Sequence, residues 1–108
     1  MEEQKIMYKV DKDGLVEKFV YQLPILRAVL DMSQDDVGEI VGLSRQTYSS
    51  IETGKRKMTW SNFMALLFFF YFNPSTKETI ENAGVFPDEL KDAMKVDRRK
   101  NRTEEDKI

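Results

Sequence analysis

Residues 44–57 read SRQTYSSIETGKRK. Arg45, Gln46, Ser49 and Ser50 are hydrogen-bonding side chains, and Lys55, Arg56 and Lys57 set three cations side by side. Adjacent like charges repel, so such a run points to an anionic partner better than to an idle solvated turn. From Arg45 to Lys57 four cations stand against one acid, Glu52; from Trp60 to Asp97 three cations stand against six acids. The 108-residue chain as a whole carries a net charge of −2, so its basic character is local. The chemistry on offer is recognition of an anion by neutral polar groups flanked by cations.

Other chemistries are poorly supplied. The chain has no cysteine and no histidine, which removes disulfides, thiolate and imidazole metal sites, and histidine acid–base catalysis. No set of carboxylates and lysines stands at a spacing that suggests catalysis. The stretch ETGKRK lacks the rest of a phosphate-binding loop. An enzyme is therefore not expected, and neither is a cofactor, a metal or a small-molecule ligand. The charged start MEEQKIMYKV has no apolar signal core, and the longest apolar run, FMALLFFFYF, has ten residues where a helical span needs about 20. We expect a cytoplasmic protein with no membrane association.

The elements that must position these residues are short helices. Residues 1–14 read as an N-terminal extension ending in the turn signal DKDG, with a brief strand-like alternation at Ile6, Tyr8 and Val10. Val16, Phe19, Val20, Leu23, Leu26 and Leu30 follow helical spacing. Pro24 leaves two alternatives: a new helix starting near Gln22, or one helix kinked there. Ser33 caps a second helix with Val37, Ile40 and Val41 on its apolar side, and Gly42 stops it. Ser44 caps a third through about Thr53, closed by Gly54. Thr59 caps a fourth to Phe72, a fifth covers roughly residues 75–82, and Pro87 opens a sixth through about Met94. Residues 97–108 read as a charged flexible tail whose RRKNR run is followed by EED, leaving 15–96 as the domain.

Around Gly42 the pattern is that of two helices crossing over a tight turn. Gly38 lets them approach, Gly42 can take positive φ, apolar residues sit at Val37, Val41, Leu43 and Ile51, and Tyr48 and Ile51 of the third helix face inward. With Gln34, SRQT, the IE pair and the Gly54-plus-cation ending, the stretch SQDDVGEIVGLSRQTYSSIETGKRK resembles the helix-turn-helix of the lambda-repressor/Cro-like transcription factors. The resemblance runs from about Leu23 to Phe70. It implies an all-α, lambda-repressor-like bundle of about five to six helices that binds double-stranded DNA.

Position by position, the resemblance places the start of the third helix in the major groove. Arg45 and Gln46 then meet base edges, an arginine fork suiting guanine and a glutamine amide suiting adenine, with Ser50 and Ser49 as weaker readers. Gln34, Ser44, Thr47, Thr53, Lys55, Arg56 and Lys57 become phosphate contacts. Arg27 and Glu52 match an ion pair that orients the third helix. Two positions depart from the family. Tyr48 stands where Ile or Val is usual, its ring expected inward and its hydroxyl at the rim, within reach of a phosphate. Asp31 stands where glycine is usual, and aspartate tolerates left-handed φ.

The fourth helix carries two apolar stripes. Phe63, Leu66, Leu67 and Phe70 match the core face; Ala65, Phe68, Phe69 and Phe72 repeat the spacing on the other side. Ile25, Ala28 and Val29 likewise replace expected charges on the first helix. A helix apolar all round must be covered all round. The cover is expected both from the chain, through Val16, Phe19, Val20, Ile80, Val85, Phe86, Leu90 and Met94, and from a homodimer. The expected function is a dimeric repressor reading palindromic half-sites. The alternative is an antitoxin-like or adaptor module whose aromatic surface grips a protein, with DNA binding secondary.

Overall fold

Short-range capping by side chains sets the start of the first four helices in the structure, a computed structural model that describes residues 10–95. The alternation at Ile6 and Tyr8 and the charged tail 97–108 lie outside the described residues. Helix α1 spans Lys12–Val29, α2 Gln34–Val41, α3 Arg45–Glu52, α4 Trp60–Tyr71, α5 Pro74–Ala83 and α6 Asp88–Ala93. Among the described residues there is no strand, and no helix is long and apolar enough to cross a membrane.

Helix α1 begins at Lys12, inside the stretch expected to precede the domain, because the Asp11 side chain accepts from the Gly14 amide at 3.1 Å. It then runs unbroken through Pro24, so no new helix starts near Gln22. Leu15, Val16, Phe19, Leu23 and Leu26 form its buried face, and Pro24 sits on the exposed side. Burial of Leu23 and Leu26 on either side of the proline outweighs the lost backbone hydrogen bond. The helix closes with Asp31 at φ 54°, where the Met32 amide donates to Arg27 O at 2.8 Å. This is a left-handed C-terminal turn built on aspartate in place of glycine.

Ser33 and Asp36 form a reciprocal capping box at the start of α2. Gly42 ends α2 at φ 73°. Gly38 is needed for the turn itself: a Cβ there would stand 2.7 Å from the carbonyl oxygen of Leu43. Val37 is buried as expected, but Ile40 is 37% exposed and Val41 only half-buried, because one eight-residue helix turns a narrow face to the core. Ser44 caps α3 and Thr59 caps α4 through their hydroxyls.

Residues 11–86 form one unit. Within it α1 packs on α3, α4 and α5; α2 packs on α3 and α4; and α5 returns along α4. Phe19 meets Phe63 edge to face at 5.2 Å, and the core continues through Leu66, Leu67, Phe70, Ile51 and Ile80. The buried Thr76 hydroxyl donates to the Phe70 carbonyl and so fastens α5 to the end of α4. Helix α6 belongs to a second unit with Val10 and residues 87–95 among those described, and its buried residue is Leu90.

The second stripe of α4 is only partly covered within the 11–86 unit. Phe68 and Phe69 are half-buried, Ala65 is exposed, and Phe72 is 74% exposed. Phe86 is the covering residue: its ring lies 6.2 Å from Phe68 and 4.8 Å, edge to face, from Tyr71. Phe19, one of the residues expected to cover this stripe, packs on Phe63 on the core face instead.

Candidate nucleic-acid interface

The Ser44 cap aims the first turn of α3 outward. Its Oγ accepts from the Thr47 amide at 3.1 Å and fixes the register that buries Tyr48 and Ile51. Arg45 and Gln46 are thereby exposed, with Ser49 and Ser50 half-buried one turn on. Among the described residues neither the Arg45 nor the Gln46 side chain has a hydrogen-bond partner, so both are unspent.

Seven of the side chains singled out above share one shallow depression of about 510 Å³ between α2 and α3: Gln34, Arg45, Gln46, Ser49, Ser50, Thr53 and Lys55. Ser44 is occupied with the cap, its hydroxyl donating to Thr47 Oγ1 at 3.1 Å, whereas the Thr47 hydroxyl only accepts in that bond. Arg56 and Lys57 border a different groove, of about 620 Å³, between α1 and the loop after α3. Lys57 Nζ lies 2.9 Å from Asp13 Oδ1, an exposed pair that raises the pKa of the ammonium.

The hydroxyls differ in what they can offer. Ser50 Oγ donates to the Gln46 carbonyl at 3.1 Å, and Thr53 Oγ1 donates to the carbonyls of Ser49 and Ser50 at 3.0 and 3.2 Å. With those protons committed, both present lone pairs outward: they can accept from a base amino group but have no proton for a phosphate oxygen. The phosphate assignment of Thr53 therefore requires its backbone bonds to break first.

Glu52, the acid inside the basic zone, is neutralised in place. Arg27 Nε donates to Oε2 at 2.9 Å and Nη2 to Oε1 at 2.8 Å; the Tyr48 hydroxyl donates to Oε2 at 2.6 Å and Gln34 Nε2 to Oε1 at 2.9 Å. Arg27 Nη1 also reaches the Met32 carbonyl at 3.0 Å, tying the α1–α2 turn into the same cluster. Only 6% of the Glu52 side chain is exposed. Burial pushes its pKa up, but the hydrogen bonds from Arg27, Tyr48 and Gln34 and the guanidinium charge outweigh it, so the carboxyl is held below its usual range. The hydrogen bond to Glu52 raises the Arg27 pKa, and burial followed by the same carboxylate raises that of Tyr48.

Two sequence expectations change here. Tyr48 is fully buried, so its hydroxyl reaches Glu52 instead of the rim. The two residues stand one helical turn apart, a spacing at which the pair could have been foreseen. Gln34 is half-spent, since one amide hydrogen is committed inward, and only three-dimensional packing joins it to Glu52, 18 positions away.

A family model described as helix-turn-helix matches residues 26–63, from Leu26 in α1 to Phe63 in α4. Comparisons with curated proteins and with solved structures found no match.

Proposed function

We propose that the chain is a DNA-binding, sequence-specific regulator of transcription that acts as a dimeric repressor, a reading supported by the helix-turn-helix family model that matches residues 26–63. The observation that carries this reading is the shared depression, where exposed Arg45 and Gln46 stand with Gln34, Ser49, Ser50 and Lys55 on one outward surface. The start of α3 enters the major groove. Arg45 offers a two-pronged donor to guanine O6 and N7, and Gln46 a donor–acceptor pair to adenine N6 and N7. Lys55, Arg56 and Lys57 grip phosphates on the flank, and Lys57 does so by leaving Asp13. The Glu52 cluster holds α3 against α1 and α2, so the side chains arrive at the groove already placed.

Two copies would meet through Phe72, Phe68, Phe69 and Ala65, whose partial exposure supports a second copy as cover. Their α3 helices would then read half-sites about one turn, roughly 34 Å, apart on the duplex. Occupying an operator blocks other proteins from it, which is repression without an effector domain. Such a regulator works where the DNA is, in the cytoplasm. The test is duplex binding followed by fluorescence anisotropy over a salt series. Affinity falling steeply with salt fits phosphate contacts; binding that ignores salt, or no binding at all, contradicts them.

The protein-binding alternative draws on a different observation. Tyr21, Ile25 and Val29 form an exposed apolar row on α1, outside the depression that holds Arg45 and Gln46. Recovery of a stoichiometric protein partner together with undetectable duplex binding would favour it.

A further inference from the structure

Tyr48 and Gln34 approach one carboxylate from two sides. The Tyr48 ring lies in the core, and its hydroxyl donates to Glu52 Oε2 at 2.6 Å, while Gln34 Nε2 donates to Oε1 at 2.9 Å. Arg27 supplies one donor to each oxygen. A carboxylate has about four lone-pair sites, so these donors fill Glu52, and its orientation has no freedom left. An aliphatic residue at position 48 could fill the same core volume but could not supply the fourth donor.

A carboxylate accepts and never donates. It therefore selects the nitrogen end of the Gln34 amide and keeps the carbonyl end away. Gln34 also lines the depression with Arg45, Gln46 and Lys55. Its second amide hydrogen is left for whatever occupies that depression.

We propose that Tyr48 is a positioning residue for the DNA contact of Gln34: by holding Oε2 of Glu52 it keeps Oε1 on the Gln34 amide, which then presents an N–H to a phosphate oxygen. The proposal rests on the DNA-binding reading above. It gives a buried hydroxyl a part in recognition that filling the core alone would not.

The test is a double-mutant cycle in the full chain with Tyr48→Phe and Gln34→Ala, read by duplex affinity, by thermal unfolding and by the Gln34 side-chain amide signals in nuclear magnetic resonance. Tyr48→Phe keeps the ring and should unfold cooperatively, with duplex affinity lowered roughly threefold to tenfold. In the Gln34→Ala background that loss of affinity should vanish, while the loss of thermal stability persists. The Gln34 amide signals of the free protein should move in Tyr48→Phe. Additive effects on affinity, or unmoved Gln34 signals, overturn the proposal, because a hydroxyl that acts only through stability would lower affinity alike in both backgrounds. Should Tyr48→Phe lose its cooperative transition, Tyr48→Leu, which fills the core without a donor, carries the same cycle. If wild type binds no duplex, the DNA reading fails, and the Gln34 signals still decide whether Tyr48 orients the amide.

Discussion

Arg27 grips Glu52 with two nitrogen atoms, Nε at 2.9 Å and Nη2 at 2.8 Å, across 25 positions of sequence. The pair joins the last turn of α1 to the last turn of the helix that carries Arg45 and Gln46. Removing Arg27 leaves Glu52 its donors Tyr48 and Gln34 but no opposite charge in a half-dry site. Arg27→Ala should therefore cost about 3 kcal/mol, read as a lowered midpoint in chemical denaturation, with duplex affinity reduced for all sequences. A midpoint unchanged from wild type would mean the pair is solvated and contributes nothing.

The same cluster predicts a pH dependence. The Glu52 carboxyl has a lower pKa folded than unfolded. Its contribution to stability is fully present above the unfolded value, about 4.3, and is lost as pH falls from there through the folded value. Arg27 and Tyr48, with pKa values raised, keep their protons across this window. Denaturation midpoints from pH 7 down to about pH 3 should fall less steeply for Glu52→Gln than for wild type, from a lower starting point. Parallel curves would contradict the assignment.

Lys55 and Lys57 should behave differently. Lys55 lines the depression, so Lys55→Ala should weaken every duplex alike and reduce the slope of log affinity against log salt by about 1. Lys57 is held by Asp13 at 2.9 Å. Asp13→Asn should free it and raise affinity for any duplex, about threefold at low salt, with the sequence preference unchanged. A fall in affinity for Asp13→Asn would show that Asp13 supports the loop instead of competing with DNA.

Phe72 tests the dimer. It is 74% exposed at the end of α4, beside half-buried Phe68 and Phe69. Phe72→Glu should leave the helical signal intact, shift sedimentation from dimer to monomer, and weaken binding to a two-half-site duplex much more than to a single half-site. Wild type that sediments as a monomer at micromolar concentration removes the dimer from the account.

Much of the fold was legible because its punctuation is local. Ser33, Ser44 and Thr59 each sit where a hydroxyl can satisfy a free helix amide, and Asp31 takes the left-handed turn its side chain tolerates. Pro24 was not legible in the same way. Local propensity argues for a break, and only the burial of Leu23 and Leu26 against the rest of the unit decides for one helix. Ile40 misled because eight residues are too few for the apolar pattern to fix which flank faces inward. At the site, the outward set Arg45, Gln46, Ser49 and Ser50 follows from helical spacing once Tyr48 and Ile51 are inside. The inward turn of the Gln34 amide and the hold of Asp13 on Lys57 depend on contacts 18 and 44 positions apart. No local pattern carries them.

The central claim is that Arg45 and Gln46 read base edges, and selection of bound duplexes from a random pool, run in parallel on wild type and Arg45→Ala, tests it most directly. Wild type should enrich a two-fold symmetric sequence, and Arg45→Ala should lose the preference at one symmetry-related pair of positions, at a cost of about 1–3 kcal/mol, while keeping the rest. Identical sequence profiles for the two proteins, or no enrichment by wild type, would contradict it.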